Sequence, residues 1–113
     1  MDKLKMYQDI VIEYLNTYAA NSRPTNIPDV KAHVIVDRET NHFQFLRLGW
    51  QGSRFVFAVI FHFEIREGKI WIHRNNTERE VVDVFLEKGV ASEDIVLGFH
   101  PPDARRFTGL GVA

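Results

Sequence analysis

The sequence predicts an α+β fold in which a four-stranded antiparallel meander is packed by an N-terminal helix and a second helix, with a structured C-terminal tail. Apolar residues recur at helical spacing over positions 3–20, alternate with a period of two over positions 30–74, and return to helical spacing over positions 81–86. Short polar turns between the strands are typical of an antiparallel meander. Helices that are separated along the chain from a run of strands indicate α+β rather than α/β.

The first element is a helix over residues 3–20. Its apolar residues recur every three or four positions, and charged residues fall on the other side. Asp2 stands where a helix N-cap is expected. Pro24 and Pro28 lie in the polar segment 21–29, which we interpret as the loop that carries the chain to the sheet.

Four strands are predicted at residues 30–37, 42–50, 54–66 and 69–74. The third has the clearest alternation, and one face of it carries a row of large apolar side chains: Phe55, Phe57, Val59, Phe61, Phe63 and Ile65. Because two amphipathic helices need an apolar surface to cover, we expect this row to form the core. Trp50 and Trp71 fall on the opposite face, where we expect one or both to be exposed. A large apolar patch on that face would be a protein-binding or dimerisation surface.

A second helix follows the sheet. Thr77 and Glu80 form a capping box before an apolar run, and Gly89 has the position of a helix C′ residue. Residues 92–94 are predicted to cap a short helical turn. The tail beyond them is too apolar for a frayed end, and we expect three of its residues to pack against the domain: Ile95, Leu97 and Phe99.

Length and composition suit a single domain over residues 1–113. The chain has no cysteine, which excludes disulfides and thiolate metal sites and agrees with a reducing cytoplasm. Fourteen Lys and Arg oppose fifteen Asp and Glu, so the chain lacks the basic surplus of proteins that hold DNA by phosphate contacts. The charged N-terminus has no signal-peptide core, and the apolar run 55–63 is too short to span a bilayer, so we expect a cytoplasmic protein without membrane association.

No catalytic site is recognisable. The serines lie in turn or cap contexts outside a Gly-x-Ser-x-Gly elbow, and the glycines at 109–111 have no helix after them to bind a dinucleotide. We therefore expect no enzymatic activity and no cofactor.

Five histidines raise the question of a metal site, but none forms a helical ligand pair. A metal site would have to assemble across strands, where His42, His62 and His73 are able to share a face. The simpler interpretation is that they are polar residues of a half-exposed sheet.

The C-terminal tail combines a histidine, two prolines and two arginines within seven residues. His100 precedes two prolines that fix an extended backbone, and Arg105 and Arg106 follow a short turn. One interpretation is a recognition arm that contacts a partner or DNA, in which case Arg105→Ala weakens binding and leaves the fold intact. The other is an arm strapped over the core, with Arg105 or Arg106 tied to an acidic side chain. Our candidate partner-binding residues are Trp50, Trp71, His100, Pro101, Arg105, Arg106 and Thr108.

Several segments together resemble one known family. They are MDKL at 1–4 with Tyr7, LRLGW at 46–50, GKIWI at 68–72 followed by NTE at 76–78, and EDIVLGFHPP at 93–102 with Arg105 and Thr108. On these segments, from end to end, the chain resembles XisI, the family of cyanobacterial fdxN-element excision-controlling factors.

The resemblance implies an accessory role in programmed DNA rearrangement, in which a site-specific recombinase excises an element during heterocyst differentiation. It also implies a companion, XisH, which resembles nuclease-fold proteins, and it brings no catalytic residues. We expect a non-enzymatic factor that binds a recombinase or an XisH-like protein and meets DNA only within that complex. A second copy of the chain is a further candidate partner. The alternatives are an antidote-like module that neutralises an XisH-type partner, and a protein that binds DNA directly.

Overall fold

The computed structural model describes residues 2–21, 29–75 and 81–112. Its elements, in chain order, are α1 (Lys3–Asn21), β1 (Val30–Asp37), β2 (His42–Gln51), β3 (Arg54–Arg66), β4 (Lys69–Asn75), α2 (Val81–Glu87), a 3-10 turn (Ser92–Asp94), β5 (Ile95–Leu97) and α3 (Pro102–Arg105). The predicted capping box at Thr77 and Glu80 lies outside the described residues. Of the helices in the described ranges, none has the length and apolar character that crossing a membrane requires.

The five strands form one sheet in the order β1-β2-β3-β4-β5. The first four strands pair antiparallel, as predicted, and β5 adds a short parallel strand beside β4. The α+β class is therefore confirmed, with one more strand than the sequence predicts. β5 has only three residues, which is too short for alternation to be visible.

The helices α1 and α2 pack on one face of the sheet. The N-terminus of α1 is capped as predicted, because Asp2 Oδ1 accepts a hydrogen bond from the backbone N–H of Leu4 at 3.0 Å. Below the helices lie four fully buried sheet aromatics, namely Phe43, Phe45, Phe61 and Phe63. Phe85 of α2 and the half-buried Tyr14 of α1 meet Phe63 edge-on, at centroid distances of 5.5 and 6.2 Å.

A β-bulge interrupts the third strand. The consecutive residues Phe45 and Leu46 of β2 pair with Phe61 and Val59 of β3, which leaves Ile60 as an extra residue. A bulge of this kind reverses which face the following side chains occupy. The two halves of β3 therefore present their phenylalanines to opposite faces of the sheet.

Phe55 and Phe57 lie on the far side of this bulge from the core. They pair with Trp50 and Leu48 on the face away from the helices, and their side chains are 49% and 63% exposed. The prediction that the whole row from Phe55 to Ile65 is core is wrong for these two residues, and Val59, which pairs with Leu46, lies on the same face as they do. The alternation in the sequence is correct, but the bulge changes its meaning halfway along the strand.

The C-terminal region is anchored to α1. Tyr7 donates its hydroxyl proton to Asp94 Oδ2 over 2.6 Å, and Lys3 Nζ is 2.7 Å from the same oxygen. Burial alone would raise the pKa of Asp94, but the hydrogen bonds from Lys3 and Tyr7 lower it below its ordinary value. Asp94 is thus held as a carboxylate between the start of α1 and the 3-10 turn.

The tail after β5 folds back onto the sheet. Gly111 N donates to Ile95 O at 2.8 Å, which places the tail along the outer side of β5. Ile95 is buried and Leu97 is half-buried against the core, as predicted. Phe99 is 50% exposed, so the expectation that it packs against the domain is wrong. The chain turns at Gly98 and Phe99, and this turn carries the phenylalanine ring outward.

Candidate protein-interaction site

The end of the β2–β3 hairpin carries exposed aromatic side chains on the face away from the helices. Trp50, Phe55 and Phe57 are 54%, 49% and 63% exposed. The Trp50 and Phe55 rings are 5.0 Å apart between centroids, and the Phe55 and Phe57 rings are 6.4 Å apart. We call these three residues the hairpin cluster.

The hairpin cluster is a surface with a hydrophobic driving force for association. An aromatic side chain buries about 150–250 Å² when it is fully covered, and roughly half of that area remains exposed in each of these three residues. Trp and Phe are also enriched at the centres of protein interfaces. The two helices occupy the other face of the sheet, so they do not cover these rings. The arrangement therefore suits contact with an apolar groove on another protein.

Gly49 fixes where the hairpin leaves the sheet. Its φ is +150°, and a Cβ at this position would lie 1.9 Å from the carbonyl oxygen of Asp29, just before β1. Only glycine allows the two backbones to approach so closely. The glycine therefore sets the position of the neighbouring Trp50 relative to the edge strand.

A polar cluster lies farther along the same face, on β2, β3 and β4. His42 Nδ1 and His62 Nε2 are 3.0 Å apart, and His62 Nδ1 is 2.8 Å from Gln44 Oε1. His73 Nε2 is 2.8 Å from Glu64 Oε1. The three histidines that the sequence allowed to share a face do so.

This cluster is a hydrogen-bonded network rather than a set of converging ligands. In the described residues, no three His, Asp or Glu side chains are arranged to hold a metal ion. The cause is visible in the pairing, since ring nitrogens of His42 and His62 face each other and His73 faces Glu64. These contacts place the three histidines in a polar network that crosses β2, β3 and β4.

Charge in this network depends on its packing. Burial lowers the pKa of His62, and the nearby His42 and His73 lower it further. For Glu64, burial acts to raise the pKa, but the hydrogen bond with His73 and the charges of His42 and Arg66 lower it overall. At neutral pH the network therefore contains a neutral His62 beside an ionised Glu64.

Trp71 is not part of the exposed surface. Its side chain is only 4% exposed, and the guanidinium carbons of Arg66 and Arg105 lie 3.9 and 5.0 Å from the centre of its ring. Of the two tryptophans on this face, only Trp50 is available to a partner. The cation–π contacts make Trp71 a packing site for the tail.

Arg105 holds the tail in place. Its Nε donates to His100 O at 3.1 Å, and its Nη2 donates to Gly98 O at 3.4 Å, while the guanidinium lies over Trp71. This geometry supports the strapped-arm interpretation, although the acceptors are backbone carbonyls and not an acidic side chain. Thr108 continues the arrangement, because its hydroxyl donates to Arg105 O at 2.8 Å.

We therefore expect Arg105→Ala to lower the free energy of unfolding by about 1 kcal/mol, because one of its hydrogen bonds is exposed and the other is long at 3.4 Å. Urea unfolding measures this change. An unaltered stability together with weaker partner binding would instead favour the recognition-arm interpretation.

The tail still offers a second exposed group. His100, Pro101 and Arg106 are exposed, and Phe107 beside them is 77% exposed. Of the predicted contact residues, the structure leaves these three and Trp50 accessible, and it engages Trp71, Arg105 and Thr108 within the fold. Sequence reasoning missed Phe55 and Phe57, because Ile60, the extra residue of the bulge, is itself apolar and blends into the run.

Comparison with known proteins agrees with the fold. A family model described as XisI protein matches residues 1–112. The crystal structure of a XisI-like protein from Anabaena variabilis ATCC 29413 is 39% identical, with a TM-score of 0.92 over 97% of this chain and 99% of that chain. That of the fdxN element excision controlling factor XisI from the same organism is 34% identical, with a TM-score of 0.87 over 99% and 100%. Among curated proteins, none matches this chain.

Proposed function

This chain belongs to the XisI family, and we propose that it acts without catalysis as an accessory factor in the excision of a DNA element, by binding a protein partner. Family membership and the similarity to an fdxN element excision controlling factor support the general role. The observation that carries the proposed mode of action is the hairpin cluster, an exposed aromatic surface at the end of the β2–β3 hairpin.

The chemistry of the cluster favours a protein over DNA as the partner. Trp50, Phe55 and Phe57 are uncharged, and the whole chain has a net charge of −1. Binding to the DNA backbone depends on neutralising phosphates with Lys and Arg, whereas aromatic rings at the centre of a patch are typical interface hot spots. The proposed partners are an XisH-like protein or the site-specific recombinase, with DNA reached through that complex.

Direct DNA binding makes a different prediction. Exposed rings on a sheet are also used to stack nucleotide bases, next to basic residues that hold the backbone. Purified protein acting in this way would shift a DNA fragment in a gel at low salt and lose the shift at high salt. Under our proposal, the protein alone produces no shift.

An excision reporter tests the proposal in cells. A strain that lacks the chromosomal copy is complemented with wild-type protein, with Phe57→Ser, or with Phe107→Ser. Both phenylalanines are exposed, but Phe57 lies in the hairpin cluster and Phe107 lies beside the exposed tail residues, so the two variants distinguish the two candidate surfaces. We expect Phe57→Ser to lower excision while Phe107→Ser retains it, with equal protein levels. Wild-type excision by Phe57→Ser would contradict the assigned surface.

Expressing the XisH-type companion alone distinguishes the antidote-like alternative from the accessory role in excision. If the companion alone is toxic and this chain relieves the toxicity, the chain acts by neutralising its partner and not in excision. A harmless companion, combined with loss of excision when this chain is absent, supports the accessory role.

A further inference from the structure

The two edge strands of the sheet, β1 and β5, differ in whether another backbone segment pairs with their outer side. The tail lies against the outer side of β5, where Gly111 N donates a hydrogen bond to Ile95 O at 2.8 Å. At the other edge, no backbone within residues 2–21, 29–75 and 81–112 pairs with the outer side of β1. As far as the described residues go, the backbone donors and acceptors that point outward from β1 are available to another strand.

β1 carries Lys31 and Asp37 but lacks three other protections that are common in edge strands, namely short length, proline and a bulge. It is eight residues long, contains no proline, and keeps a regular register with β2. Ile35 and Val36 are 50% and 40% exposed. Natural proteins avoid long, regular, apolar edges unless the edge is paired, because such edges associate with other chains.

The sequence of β1 is complementary to itself about Val34. If two copies pair antiparallel with Val34 opposite Val34, then Lys31 of each copy lies opposite Asp37 of the other. A two-fold axis gives this pair twice, and opposite charges placed across neighbouring strands stabilise a sheet. Asp37 is ionised, since hydrogen bonds from the Thr40 hydroxyl and backbone lower the pKa of its carboxyl.

The apolar residues match in the same register. Ala32 lies opposite Val36 of the second copy on the helix-covered face, with the Val34 pair between the two symmetric contacts. On the face away from the helices, which we call the open face, His33 lies opposite Ile35 of the second copy. Moving the axis to His33 would put an aliphatic side chain opposite Lys31, and moving it to Ile35 would carry Lys31 past the end of the other strand.

We propose that a second copy of this chain occupies the β1 edge, pairing antiparallel about a two-fold axis at Val34 to give a continuous ten-stranded sheet. Both copies then present their helices on the same side. The inference goes beyond the proposed function, because it concerns the edge strand and not the hairpin cluster.

Disulfide trapping tests the register, because the natural chain has no cysteine. Val34→Cys lies opposite itself at a Cα separation of about 4.5–5.5 Å, within the range that a disulfide spans. Two copies of Ala32→Cys are offset by about 13 Å along the strands and do not cross-link. A mixture of Ala32→Cys with Val36→Cys does.

We expect Val34→Cys and that mixture to form dimers on a non-reducing gel after mild oxidation, and Ala32→Cys alone to remain monomeric. Because Val34 packs against the core, the mixture of His33→Cys with Ile35→Cys repeats the test on the open face. Cross-linking of no variant, or of every single variant equally, would overturn the proposal.

Sedimentation of the protein without cysteine substitutions tests the charge pairing between Lys31 and Asp37. Lys31→Glu places a carboxylate opposite Asp37 twice, and we expect the dimer dissociation constant to rise about tenfold or more. Lys88→Glu makes the same charge change just after α2 and should leave the dimer dissociation constant unchanged. Phe57→Ser in the hairpin cluster should also leave this constant unchanged. A wild-type protein that stays monomeric, or an equal effect of both lysine variants, would contradict the inference.

Discussion

The contact between Tyr7 and Asp94 allows a quantitative test of how the C-terminal region is held. The Tyr7 hydroxyl donates to Asp94 over 2.6 Å, and the two residues are 3% and 8% exposed. A hydrogen bond to a charged group contributes about 1.5–3 kcal/mol. We expect Tyr7→Phe to lower the free energy of unfolding by about 2 kcal/mol at neutral pH. The phenylalanine ring keeps the packing, so no cavity adds to this cost.

The effect depends on pH with a definite sign. The pKa of Asp94 is below its ordinary value of 3.8 in the folded protein, despite the opposing effect of burial. Stability from its contacts is therefore present above pH 3.8 and is lost as the pH falls through the lowered value. The difference between wild type and Tyr7→Phe should shrink over that acidic range.

Urea unfolding followed by tryptophan fluorescence measures both effects, provided that the m-values agree. Asp94→Asn and the double variant complete a cycle that isolates the pair from the neighbouring Lys3. A Tyr7→Phe cost below about 0.5 kcal/mol, the range of ordinary surface changes, would show that this hydrogen bond does not hold the C-terminal region. So would additive single and double variants.

Three further predictions concern the sheet, and urea unfolding measures the first two. Phe61→Ala should cost about 3–5 kcal/mol, as for other buried phenylalanines, whereas Phe57→Ala should cost less than about 1 kcal/mol; similar costs would contradict the bulge. Gly49→Ala should destabilise by more than about 3 kcal/mol because its Cβ meets backbone, while Gly52→Ala, with φ +62° and open space around it, should cost about 1 kcal/mol. The pKa of His62 is lowered from 6.5, so the melting temperature should fall as the pH drops below 6.5 and through the lowered value, and His62→Gln should remove that component; an identical pH profile for the variant would exclude His62 as its source.

Long periodic segments made most of the fold predictable. The helix predicted over 3–20 is observed at Lys3–Asn21, and the predicted strands begin at the observed residues. These segments are long enough for the helical or alternating pattern to repeat several times, and polar turns mark their ends. β5 is missed for the opposite reason, because its pairing with β4 depends on a tertiary contact and not on a local pattern.

The candidate site was less accessible to sequence reasoning. The bulge at Ile60 moves Phe55 and Phe57 from the core to the surface, and nothing in an apolar run marks which residue is extra. In the same way, Arg105 is held by carbonyl oxygens, which every residue possesses. Sequence patterns report side-chain chemistry, whereas these two outcomes depend on backbone placement.

Binding of a purified partner shows directly whether the hairpin cluster is the interaction surface. An XisH-type protein is titrated with wild-type protein and with a Trp50→Ser/Phe57→Ser double variant, at low and at high salt. Because the contact is apolar, we expect wild-type binding at both salt concentrations and its loss in the double variant, whose unfolding stability stays unchanged. Equal binding of the partner by the double variant and the wild type would show that the hairpin cluster is not the binding surface.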